Sequence, residues 1–128
     1  MNVVTLMGRL TKAPELRQTQ NGTDVTQFTI AVNRRYKDSS GEYPADFINC
    51  IAWRQTAAFI VKYFAKGAMI AVTGTLQTRK YTDKQGAERT ATEVIVDNAE
   101  FTGEKPRERQ DDFSGFEDIS YTESDLPF

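Results

Sequence analysis

The sequence has no histidine and a single cysteine, Cys50. Without histidine, the Ser/His and Cys/His pairs that activate most nucleophiles are excluded. One cysteine with no histidine also falls short of a zinc ligand set. Neither a catalytic centre nor a cofactor is expected. A lone cysteine cannot close an intrachain disulfide, which fits a reducing, cytoplasmic setting. Long hydrophobic runs are missing as well. No uninterrupted apolar run exceeds residues 57–61, against the roughly 20 residues needed to span a bilayer. The opening "MNVVTLMGRL" lacks a charged segment followed by an apolar one, so no export signal is expected.

The net charge of −2 averages two unlike parts. Residues 1–103 carry 13 Lys and Arg against 10 Asp and Glu, a net of +3, whereas residues 104–128 carry 3 against 8, a net of −5. A basic body with an acidic tail points to a polyanionic partner for the body.

The body reads as a β domain with one helix. In "NVVTLMGRL", Val4 and Leu6 alternate with Val3, Thr5 and Met7. Gly8 inside this strand marks a bulge, a tight bend or a close backbone approach. Asn21-Gly22 is a hairpin turn signal. A second strand is expected at 26–35, then a polar loop at 37–44, and a third strand at 46–54. Residues Ala57, Ile60, Val61 and Phe64 fall at i, i+3, i+4 and i+7, one buried helical stripe. Thr56 is the expected N-cap and Gly67 the expected C′ residue. A fourth strand at 68–81, a turn at 82–89 and a fifth strand at 90–97, extended as far as Phe101, complete the body. Past Gly103 the periodicity stops, so 1–103 is taken as the domain and 104–128 as a disordered linker and acidic tail. Three strands, a helix and two more strands are the order of the five-stranded OB-fold barrel. An α+β sandwich is the competing arrangement.

The third strand separates two faces. Ile48, Cys50 and Ala52 suit a barrel interior, which leaves Phe47, Asn49, Ile51 and Trp53 on the other side. Phe47 and Trp53 are then about 20 Å apart at roughly 3.3 Å per residue. The fourth strand repeats the scheme, with Ile70, Val72 and Leu76 inward and Thr73, Thr75, Gln77, Arg79 and Tyr81 outward. "NRRYK" and "LQTRKY" each set cations beside a tyrosine: Arg34, Arg35 and Tyr36 in one, Arg79, Lys80 and Tyr81 in the other. Cations follow a phosphate backbone, and aromatics stack bases of any sequence at about 1–3 kcal/mol each. Arg9, Asn49 and Arg54 complete the candidate DNA-binding set. Duplex DNA has no exposed base faces, and the body has no recognition-helix pattern. Asp38, Glu42 and Asp46 raise the alternative of a metal-dependent nuclease, but solvation of a polar loop accounts for them more simply.

These stretches resemble the bacterial-type single-stranded DNA-binding proteins. The matching segments are "NVVTLMGRLTKAPELR", "QFTIAVNRR", "DFINCIAWRQTA", "YFAKG", "AVTGTLQTRKYTDKQG" and "TEVIV", in order over residues 2–97. The tip "DLPF" is similar to the family's acidic terminus. The resemblance implies an OB-fold homotetramer that binds single-stranded DNA without sequence preference in replication, recombination and repair, in the bacterial cytoplasm or nucleoid or a phage-infected host. It implies base stacking at Tyr36, Phe47, Trp53 and Tyr81, where several family members carry Trp at three of the four places. Residues 104–128 make a short linker for this family, which suits a phage, plasmid or other accessory version. A single-stranded RNA binder or a primosome-type OB protein is the alternative. For the tail, Asp125, Leu126, Pro127 and Phe128 are expected to enter an apolar pocket rimmed by cations on a partner protein, with Glu117, Asp118 and Glu123 steering the encounter.

Overall fold

The computed structural model describes residues 1–103 as one sheet curled into a ring and one helix. In chain order the elements are β1 (Val4–Leu10), β2 (Arg17–Gln18), β3 (Asp24–Asn33), β4 (Ala45–Trp53), α1 (Arg54–Tyr63), β5 (Met69–Thr82) and β6 (Glu88–Glu100). The strand order is β1-β5-β6-β4-β3-β2, and an additional β1–β3 pairing closes five of the strands into a ring. This is the OB-fold barrel, with its helix between the third and fourth strands of the ring. The two-residue β2 is the one strand that the sequence pattern does not signal. It pairs only with Val25 and Asp24 at the start of β3.

Alternation produces the core. Cys50 and Ala52 of β4, Ile70 and Val72 of β5, Ile30 of β3 and Val94 of β6 all point inward and are buried. Ile30, Ile60 and Ile70 are fully buried, each contributing about 1.5–3 kcal/mol. The helix buries Ala57 and Ile60 against the barrel, and Phe64 joins the core just past its end. Phe101 lies in the aromatic cluster of Phe59, Tyr63 and Phe64, stacked on Phe64 with ring centroids 5.1 Å apart. The ring closes tightly at two glycines. A Cβ at Gly8 would stand 2.6 Å from the Ala31 carbonyl oxygen, and one at Gly74 would overlap the Ile95 carbonyl. Gly8 therefore marks a close backbone approach, one of the three roles its position suggests.

Three local expectations are corrected. Leu76 is 47% exposed rather than inward. The β5–β6 ribbon leaves the barrel here: Leu76 pairs with Val94, the first buried residue of β6, and β5 is exposed from Leu76 to Thr82. Thr56 is not the N-cap. β4 runs straight into α1 with Trp53 as N-cap residue, and Arg54 makes the corner at φ 58. Thr56 Oγ1 instead donates to the Asp97 carbonyl at 3.4 Å, tying helix to β6. Gly67 is not at C′ either. Phe64 ends the helix, and Gly67, at φ 84, sits in a turn closed by Ala68 N–H to Ala65 O at 3.0 Å.

Three hairpin connections share one five-residue turn: 19–23, 38–42 and 83–87. The first residue's N–H donates to the fifth residue's carbonyl, at 2.9 Å for Thr19, 2.7 Å for Asp38 and 3.0 Å for Asp83. The fourth residue is glycine at φ 81, 87 or 84, the left-handed region that glycine enters at no steric cost. The side-chain oxygen of the first residue accepts the fifth residue's N–H, at 3.2, 3.1 and 2.9 Å respectively. The Asn21-Gly22 signal therefore marks a real hairpin, built with this longer turn instead of a two-residue one.

The carboxylates in two of these turns make them pH-sensitive. Asp38 is held below the usual carboxylate range chiefly by the Ser40 hydroxyl and then by the Glu42 N–H. Asp83 is held low chiefly by the Ala87 N–H and then by Arg89. A depressed folded-state pKa adds stability that is complete above the unfolded value, about 4, and is lost as pH falls through the folded value. Hydrogen exchange, corrected for intrinsic rates, should show the amides of Glu42 and Ala87 losing protection at pH 3 relative to pH 6. Core amides such as Ile70 should hold. Equal protection at both pH values would show that the carboxylates do not fasten the turns.

Candidate nucleic-acid interface

β4 carries the candidate surface on its outward face. Phe47 is 67% exposed and Trp53 38%, with Asn49 exposed between them. Register extends this face across the sheet. Phe47 pairs with Ala31, which pairs with Arg9, so Arg9 shares a row with Phe47 two strands away, about 10 Å. Arg9 is half-buried and its Nη1 donates to the Gly67 carbonyl at 3.0 Å. Asn49 Oδ1 accepts from the Thr29 hydroxyl at 3.0 Å. Arg54 is exposed at the corner beside Trp53.

The barrel seam shapes the middle of this face. β4 and β6 run parallel and pair only through Cys50–Ala52 with Val94–Val96. On the N-terminal side of Cys50 the strands part, and a groove of about 510 Å³ opens there. Phe28 and Cys50 lie at its floor, and Gln27, Thr29 and Asn49 line it from β3 and β4. Arg79 and Glu93 line it from the β5–β6 ribbon, and Lys12 and Arg17 from the segment after β1. Burial pushes the Cys50 thiol up to about 12, so it stays protonated and serves as packing.

Arg79 and Tyr81 share the outward side of the β5–β6 ribbon. The guanidinium lies 5.5 Å from the Tyr81 ring centroid, within cation–π range. Arg79 Nε also donates to Glu93 Oε1 at 3.0 Å. Lys80 is exposed on the opposite side of the same ribbon, by strand alternation.

The β3–β4 ribbon divides its candidates in a similar way. Asp46 pairs with Val32 and lies on the side opposite Phe47. Arg34 donates to both Asp46 oxygens, with its closest contact at 2.8 Å, and its Nη1 also donates to the Tyr36 hydroxyl at 3.2 Å. These contacts raise the Arg34 pKa above its ordinary value, and the same hydrogen bonds hold the Asp46 carboxyl low. Arg34 and Tyr36 therefore cluster around Asp46 and not beside Phe47. Arg35 is exposed past the end of β3.

The structure thus brings together Arg9, Phe47, Asn49, Trp53, Arg54, Arg79 and Tyr81. It sets Arg34, Tyr36 and Lys80 on the reverse sides of the two ribbons. Lys12, Arg17, Gln27 and Thr29 line the groove and were not among the expected site residues. Their sequence signal is weak, because Lys12 falls in an irregular stretch, Arg17 in the two-residue β2 that the pattern does not signal, and Gln27 and Thr29 read as ordinary strand polarity. Asp38 fastens a turn, Asp46 pairs with Arg34, and among the described residues no three His, Cys, Asp or Glu side chains gather to hold a metal. No helix among the described residues is long and apolar enough to cross a membrane. The expected partner-binding residues Asp125, Leu126, Pro127 and Phe128 lie outside the described residues.

Residues 1–102 match the model of the single-strand binding protein family. Single-stranded DNA-binding protein B of Bacillus subtilis is 46% identical over 111 residues, 87% of this chain and 98% of that protein. Single-stranded DNA-binding protein 3 of Streptococcus agalactiae is 39% identical over all of this chain and 99% of its own length. Single-stranded DNA-binding protein A of Bacillus subtilis is 48% identical over 79% of this chain and 59% of its own length. With a matched domain, an OB barrel and two relatives similar along nearly their whole length, the chain belongs to the single-strand binding protein family.

Proposed function

We propose that this protein binds single-stranded DNA without sequence preference, keeps it unpaired and shields it during replication, recombination and repair. The observation that carries this reading is the outward row of β4. Two large aromatics, Phe47 and Trp53, stand exposed there beside the cation–aromatic pair Arg79 and Tyr81. Exposed aromatics with no core to join suit stacking on bases, and neighbouring cations suit phosphates. The names of the relatives support the same ligand. The role is binding and not turnover, and no cofactor takes part.

Titration of the Trp53 fluorescence with oligo-dT should show quenching, with log Kd against log salt sloping by about 0.7 per phosphate neutralised. Phe47→Ala and Trp53→Ala should each weaken binding by about 1–3 kcal/mol in a folded protein. Unchanged affinity in both variants would show that the strand lies elsewhere. Tighter binding to an RNA of equal length would move the reading to single-stranded RNA.

The functional unit is a homotetramer in this proposal. Val3, just before β1, and Met7, on its outward side, are 66% and 56% exposed and give an apolar patch for a second copy. Sedimentation at micromolar concentration should give the mass of four chains. A stable monomer would contradict it.

The terminal Asp125, Leu126, Pro127 and Phe128 recruit replication, recombination and repair proteins in the same proposal. A tail serving solubility alone has no need of Pro-Phe at its tip. Removing Phe128 should abolish capture of such partners while leaving oligo-dT affinity unchanged. Undiminished capture would remove the tip from the account.

A further inference from the structure

The groove at the β4–β6 seam lies beside the aromatic row and differs from it in chemistry. It has a size suited to a small-molecule-scale occupant, about 510 Å³. Its side chains offer hydrogen bonds from Gln27, Thr29 and Asn49, and charges of both signs. The charges are largely matched in the free protein. Arg79 is held by Glu93 through two contacts, Nε to Oε1 at 3.0 Å and Nη2 to Oε2 at 3.4 Å. Arg17 approaches Glu15 at 3.8 Å. Lys12 has no ion pair among the described residues.

Two parallel contacts to a carboxylate have the geometry by which a guanidinium also holds a phosphate. Glu93 therefore occupies the place on Arg79 that a phosphate would take. The Glu93 side chain is only 13% exposed, whereas that of Arg79 is 54% exposed. The carboxylate is thus fixed in the wall while the guanidinium can swing between it and an incoming anion. Resting on the DNA-binding reading above, we propose that the seam groove seats one nucleotide of the bound strand and that Glu93 is its gate. Phosphate replaces Glu93 on Arg79 when the strand enters, and Glu93 recaptures Arg79 when the strand leaves. The exchange moves no covalent bond. It lowers affinity by the strength of the pair that must break and keeps Arg79 aimed into the groove between binding events.

The test is a double-mutant cycle in oligo-dT binding with wild type, Glu93→Gln, Arg79→Ala and the double variant, each checked for folding by circular dichroism. Glu93→Gln keeps the side chain's shape and removes its charge. It should tighten binding roughly two- to five-fold, the range of an exposed ion pair. The Arg79–phosphate contact forms in both proteins, so the salt slope should stay near that of wild type. In the Arg79→Ala background the gain should vanish, because the cation that Glu93 restrains is gone. Unchanged or weaker binding by Glu93→Gln overturns the gate. So does a gain that persists without Arg79, since that would reflect lower negative charge alone. A wild-type protein that binds no oligo-dT overturns the DNA reading itself and this inference with it. Normal wild-type binding without the gain overturns the gate alone.

Discussion

Three residue pairs hold the ring shut on one side: Cys50–Ala52 of β4 against Val94–Val96 of β6. Opposite them, the β1–β3 contact closes through only two pairs, Arg9 with Ala31 and Leu10 with Ile30. The β1–β3 closure and the β5–β6 register shift each bring backbones closer than a side chain allows, which is why glycine stands at 8 and 74. Once closed, the ring gives every inward residue of five strands one shared interior, and the helix plugs it with Ala57 and Ile60. The same short seam shapes the candidate surface. Where β4 and β6 part, the groove opens, and the long β3–β4 and β5–β6 ribbons reach past the barrel with no core to serve. Their side chains are left for solvent or for a ligand.

That division explains why aromatics can remain exposed without harming the fold. Phe47 and Trp53 lie on the far side of a strand whose near side gives Cys50 and Ala52 to the core. Stability and the candidate binding surface thus draw on different faces of the same nine residues. The turns follow a similar economy of means. One hydrogen-bonded pattern with glycine in the fourth place closes three hairpins, and the side chain in the first place differs only between threonine and aspartate.

Much of this was legible in the sequence where the signal was local. Strand alternation separated Phe47, Asn49 and Trp53 from Cys50 and Ala52 correctly, because a period of two leaves no third choice. The helix existed where its stripe predicted. Errors arose where a local rule met a tertiary one. Leu76 continues the inward pattern of Ile70 and Val72, but it stands at the end of the barrel, where the interior stops. Thr56 has the side chain of a cap, but β4 runs straight into α1, and Arg54 turns the corner at φ 58. The ion pairs Arg34–Asp46 and Arg79–Glu93 join residues 12 and 14 apart on paired strands, so only the register reveals them. They also changed the meaning of two arginines, which had read as free cations and are in fact already engaged.

The central claim is that the outward face of β4 and the adjoining side of the β5–β6 ribbon hold the strand. Chemical-shift mapping by NMR on the full chain, with and without a short oligo-dT, tests it residue by residue. The account predicts the largest shifts at the Trp53 indole N–H, the Asn49 side-chain amide and the backbone of Gln77, Arg79 and Tyr81. Shifts confined to the opposite sides of the ribbons, around Asp46 and Lys80, with Trp53 and Asn49 unmoved, would contradict it.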